Sequence, residues 1–154
     1  MLETPHVALG TAIAVAIPNP LISIPLAFAS HFLLDMTPHW NPHLNTETKK
    51  YGKLTNKTLL IIGLDLACAT VLVGSIAYYF RSDSLMFFNI LLSSFASIAP
   101  DVVEGPYFFW GYKNKAINIW MKFQKIIQVD TNIFWGSLTQ IVVIIASLYW
   151  IFLT

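Results

Sequence analysis

Apolar positions in this chain come in long runs, with polar residues gathered into the stretches between them. Residues 59–80 form a 22-residue apolar run interrupted only by Asp65, and 133–153 form a second. About 20 helical residues cover a ~30 Å hydrocarbon core, so both runs predict spanning helices. Residues 84–99 form a shorter run that Pro100 is expected to stop. Residues 7–17 and 21–36 flank Pro18-Asn19-Pro20. Proline donates no amide hydrogen and disfavours helix in the residue before it, so this tripeptide predicts a turn. The two flanking segments then form either two short spans or a re-entrant hairpin. Residues 115–128 are different: Lys115, Asn118, Lys122 and Lys125 recur at helical spacing among Ile117, Ile119, Trp120, Phe123, Ile126 and Ile127. That pattern predicts an amphipathic helix lying at an interface, its lysines facing anionic headgroups. A packed helix with a solvated face is the other reading.

Composition makes the membrane reading firm. Of 154 residues, 56% are hydrophobic and 11% charged, against about 25% charged in an average soluble domain. The expectation is an all-α, polytopic helical bundle of four or five membrane segments plus one interfacial helix, forming a single domain over 1–154. The net charge of +1 gives no ground for a nucleic-acid partner. Cys68 is the lone cysteine, so no disulfide framework is possible, and within an apolar run it is expected to be a small buried core residue. No basic region precedes the first apolar stretch, so that stretch is expected to remain in the mature protein.

Charge placement predicts orientation. Lys49, Lys50, Lys53 and Lys57 lie in 37–57, and Lys113, Lys115, Lys122 and Lys125 lie in 101–131. The intervening turn offers Arg81, balanced by Asp83. The positive-inside rule then places both lysine-rich regions and the N-terminus in the cytoplasm, with the C-terminus outside.

That topology brings the ionisable residues of the apolar segments to one face: His6, His31, Asp35, Asp65, Asp101 and Glu104, with His39 and His43 just beyond. Such groups cost roughly 2.5–3.5 kcal/mol each at mid-bilayer and usually mark a site. His31 and Asp35 are spaced i, i+4, on one helix face and close enough to share an ion. Asp101 and Glu104 follow Pro100 at i, i+3. Imidazole with carboxylate suits zinc first and manganese second. Each residue also has an ordinary explanation. His6 can be a helix-start residue after Pro5, Asp65 a partner for a helix terminus, Asp101 a cap, and Glu104 a partner for a lysine. His39 and His43 are solvated unless their loop folds back.

The window Ser30-His31-Phe32-Leu33-Leu34-Asp35-Met36-Thr37-Pro38, with an early His6 and Ala99-Pro100-Asp101, resembles a prokaryotic inner-membrane family of metal-dependent hydrolases. That family is of the LexA-regulated type and loosely related to zinc-dependent phospholipase C. The resemblance implies His6, His31, Asp35 and Asp101 as metal ligands, and a location in the prokaryotic plasma membrane. Two short windows carry it. The motif order differs, the family's Gly-His-Arg-Gly and Thr-His elements are absent, and Val103 replaces the second carboxylate of its Asp-x-Asp. The function expected is hydrolysis of a lipid-linked phosphoester at the cytoplasmic membrane boundary, with Asp65, Glu104 and His39 as acid/base candidates. The alternatives are an ion- or proton-coupled transporter and a non-catalytic membrane subunit with a structural metal or polar cluster.

Overall fold

A computed structural model describes residues 1–153, which form eight helices and no strand. The first pair, α1 (Glu3–Ala16) and α2 (Pro20–Asp35), is a hairpin closed by the Pro18-Asn19-Pro20 turn. Asn19 begins α2: its Oδ1 accepts from Leu21 N at 3.1 Å, while Pro20 takes the first helical position, where no donor is needed. At the other side of the turn, Asn89 Nδ2 donates to the Ala14 and Ile17 carbonyls at 3.1 and 3.2 Å. These are carbonyls that the end of α1 cannot satisfy internally.

Among the described residues, three helices are long and apolar enough to cross a membrane: α4 (Asn56–Tyr79), α5 (Ser84–Val102) and α8 (Ile133–Leu153). At 1.5 Å per residue they measure about 36, 28 and 31 Å. The first pair, expected to span or re-enter, reaches only about 21 and 24 Å by the same rise. Pro100 does not stop its segment. It lies in the last turn of α5, and the helix runs on to Val102 with Val103 N donating to Ala99 O at 3.2 Å. A proline near a helix end forfeits only its own donor, which leaves the final turn free to close.

Helix α1 is the central element, packed against α2, α4, α5 and α8. Its approach to α5 depends on Gly10, where a Cβ would come within 2.7 Å of Ser97 Oγ and 2.9 Å of the Ser93 carbonyl. The interior carries hydroxyls and amides at these crossings. Thr11 and Ser94 share a hydrogen bond of 2.8 Å, and Ser23 Oγ donates to Asn89 Oδ1 at 2.6 Å. Large apolar side chains such as Leu60, Leu64, Val71, Phe95, Ile141 and Ile145 face outward instead.

The connections are more ordered than their composition suggests. Within 37–57 lies α3 (Leu44–Tyr51), ending at Gly52 with φ +73°. Its Glu47 accepts from Thr55 N at 3.0 Å and Thr58 Oγ1 at 2.7 Å, which holds the start of α4. Those bonds hold the Glu47 carboxyl below its usual range, the Thr55 N–H being the largest cause. The aromatic stretch after Glu104 forms a short α6 (Gly105–Trp110), followed by α7 (Lys115–Ile127). Asn114 caps α7 by accepting from Ile117 N at 2.7 Å.

Candidate metal centre

The end of α2, the start of α1 and the end of α5 meet at one place. His6, His31 and Asp35 are buried there, and Asp101 is 20% exposed. His6, His31 and Asp101 each offer a ligand atom, and those atoms lie within 4.8 Å of one another. Asp35 joins them: its Oδ1 is 3.4 Å from His6 Nε2 and its Oδ2 is 3.6 Å from His31 Nε2. The same His31 nitrogen is 3.6 Å from Asp101 Oδ1. The Met1 amino group donates to Asp35 Oδ1 and sits 3.4 Å from His6 Nε2.

Hydrogen bonding fixes which imidazole nitrogen faces inward. His31 Nδ1 lies 2.8 Å from the Ser97 carbonyl, an atom that can only accept, so Nδ1 carries the proton. Nε2 then faces Asp35 and Asp101, and among the described residues that buried atom has no hydrogen-bond partner. Buried nitrogens are almost always paired, and an Nδ1–H held by a backbone carbonyl is the usual support for a metal-ligating histidine. His6, His31 and Asp101 could hold a metal ion; their donors, imidazole and carboxylate, do not distinguish zinc from manganese. His6 has a buried Nδ1 with no partner among the described residues, and its ring stacks on that of His31 with centroids 4.1 Å apart.

His39, expected in a solvated loop unless it folded back, is fully buried because the loop does fold back. Its backbone N–H donates to Val129 O at 3.1 Å and its carbonyl accepts from Thr131 N at 2.9 Å. Its Nδ1 is 2.8 Å from Thr37 O, which leaves Nε2 facing Asp35 at 3.8 Å. Burial, followed by the Met1 amine, lowers its pKa and favours the neutral ring. Unlike that of His31, this Nε2 has a partner, Asn41 Nδ2 at 3.4 Å, and it stands beside the cluster as a further candidate ligand or acid/base group. His43 is exposed.

Asp65 is placed otherwise. Its Oδ2 accepts from Glu3 N at 2.6 Å, and its Oδ1 accepts from Thr4 N at 3.2 Å and Thr4 Oγ1 at 2.6 Å. A carboxylate from α4 therefore caps the N-terminus of α1, where orphan donors and the positive end of the helix dipole both favour it. Glu104 has a buried oxygen with no partner among the described residues, and burial, reinforced by the charge of Asp101, raises its pKa to about 7. It lines a cavity of about 510 Å³ that touches the cluster at Met1, Asp101 and Gln128. Ile62, Leu66, Ile98, Val102 and Phe108 give this cavity an apolar wall, and Glu3, Asp65, Asp130 and Lys125 give it polar ones.

Sequence reasoning missed the glutamines. Gln124 Nε2 donates to Asp101 Oδ1 at 3.1 Å, and Gln128 Nε2 donates to Asp35 Oδ2 at 3.3 Å. Gln140 binds the Leu2 amide at 2.9 Å and the Trp40 carbonyl at 3.1 Å, joining α8 to the chain on both sides of the site. The available signal was the i, i+4 spacing of Gln124 and Gln128 on the face of α7 opposite its exposed apolar residues. No known protein family, curated protein or solved structure matches the chain.

Proposed function

We propose that this protein is a membrane-embedded, metal-dependent hydrolase of a lipid-linked phosphoester. The observation that carries the reading is the buried, unpartnered His31 Nε2 aimed at Asp35 and Asp101, with its Nδ1 anchored on the Ser97 carbonyl. The outward apolar faces of α4, α5 and α8 support a bilayer environment, because side chains such as Leu60, Phe95 and Ile145 gain nothing from water. The resemblance of the 30–38 window and of Ala99-Pro100-Asp101 to the inner-membrane hydrolase family supports the reaction class and a prokaryotic plasma membrane. Lysine placement supports a cytoplasmic site.

His6, His31 and Asp101 would hold the ion, with Asp35 and His39 completing the donor set. A divalent ion held there would supply polarisation of a phosphoryl oxygen and would acidify water towards a pKa of ~7. Glu104, titrating near the same pH beside the cavity, serves as the proton acceptor for the attacking water. The apolar wall at Ile62, Leu66 and Ile98 accommodates a hydrocarbon chain and keeps bulk water from the phosphoester.

The test is metal analysis of detergent-purified protein beside the His31→Ala/Asp35→Ala double variant, followed by a phosphoester screen. Near-stoichiometric zinc or manganese, lost in the variant together with turnover, is the expected result. Protein that binds no metal when supplied with it would overturn the hydrolase reading. Metal without turnover of any lipid phosphoester would leave a structural centre in a membrane subunit.

A further inference from the structure

Helix α7 presents three faces. Ile117, Met121 and Gln124 are buried, at the i, i+4, i+7 positions of the inward side. Lys115, Asn118, Lys122 and Lys125 are exposed along one flank. At 100° per residue, Ile119, Phe123 and Ile126 fall together on the remaining side. They are 58%, 45% and 83% exposed, so this apolar strip is bare. It is continuous with α2 through Phe32, whose ring meets those of Trp120 and Phe123 at 6.0 and 5.7 Å.

The inward side ends on the candidate metal ligands. Gln124 holds Asp101 and Gln128 holds Asp35. Val129 N donates to the Asp35 carbonyl at 3.0 Å while Val129 O accepts from His39 N at 3.1 Å. Trp120 Nε1 donates to the Pro100 carbonyl at 3.0 Å, one residue before Asp101. Residues 120–131 therefore strap three of the candidate ligands from outside the bundle.

We infer that α7 is a bilayer-surface helix, and that its docking on anionic headgroups through Lys115, Lys122 and the Ile119–Phe123–Ile126 strip sets the geometry of Asp35, His39 and Asp101. The inference rests on the metal-centre reading and adds to it a dependence on lipid charge. A bare apolar strip beside a row of lysines matches the two-layered chemistry of the headgroup region, with acyl boundary below and phosphates above. The coupling follows because side chains that hold metal ligands from behind usually change metal affinity by 10–100-fold when removed.

Two readouts test this on the full chain in nanodiscs of phosphatidylcholine, alone or mixed with phosphatidylglycerol. Zinc affinity, measured by chelator competition, should be about ten-fold tighter in the anionic discs. Lys115→Gln/Lys122→Gln should erase that gain, and it alters no buried group, so folding is retained. Gln124→Ala/Gln128→Ala should weaken zinc about ten-fold or more in both discs. In a Cys68→Ser background, spin labels at Ile119→Cys and Phe123→Cys should report immersion in the bilayer, and one at Asn118→Cys should report water. Equal zinc affinity in both lipids with labels 119 and 123 immersed would overturn the coupling. Labels in water would overturn the surface role and point to a protein partner. Absence of zinc binding in any disc would sink the metal reading and the coupling together, while the label depths would still report where α7 lies.

Discussion

His31 Nδ1 lies 2.8 Å from the Ser97 carbonyl, so a backbone atom of α5 orients the imidazole that α2 contributes to the cluster. Asparagine can reproduce an Nδ1-like donor but has no atom at the Nε2 position. His31→Asn is therefore expected to keep the helix contact and lose metal. Metal content should fall by at least ten-fold while the melting temperature of metal-free protein stays within a few degrees of wild type. An equal loss of metal-free stability would show that His31 is a packing residue.

Gly10 sits where α1 presses on Ser93 and Ser97. Gly10→Ala places a methyl within 2.9 Å of a backbone carbonyl, and overpacking of this kind costs typically 1–3 kcal/mol. Because Ser97 also anchors His31, the same change should weaken metal binding although Gly10 touches no ligand. Chemical unfolding in detergent and a metal titration on one sample would check both effects.

The position of Asp65 predicts a stability role. Asp65→Ala leaves Glu3 N and Thr4 N without acceptors, and each unsatisfied buried donor costs about 1–3 kcal/mol. The protein should lose stability, and any phosphoesterase activity that survives should keep the wild-type pH profile. A shifted profile at unchanged stability would instead support the acid/base role.

Glu104 titrates at about pH 7 in the folded chain and near the usual glutamate value of 4.5 when unfolded. The folded state therefore binds more protons between these values, and stability falls as pH rises from about 4.5 to about 7. Glu104→Gln should remove that contribution, seen as a change in the pH 5 to pH 8 difference in unfolding midpoint relative to wild type, towards higher relative stability at pH 8. If Glu104 accepts the proton of the attacking water, activity rises through pH 7 in the wild type, and the variant loses that limb.

Much of the helical framework was legible in the chain. The runs at 59–80 and 133–153 mark α4 and α8 because nothing but length and hydrocarbon is needed to specify them. Pro18-Asn19-Pro20 marks the α1–α2 turn because proline forbids the alternatives locally. Pro100 misled because its cost depends on how much helix follows, and only two residues do. His39 was unreadable because its burial comes from pairing with residues 129–131, some 90 positions away.

By itself the sequence determined the apolar helices, their lysine-flanked ends and the set of imidazoles and carboxylates, all of which are properties of residue type and short-range spacing. Tertiary structure decided which of those groups meet. Asp65 leaves the cluster to cap α1, His39 enters it, and Gln124 and Gln128 reach the carboxylates from a helix that shows no ionisable residue on its inner face. The reason is physical: a hydrogen bond or a ligand lone pair is satisfied at about 3 Å in space, whatever the separation along the chain.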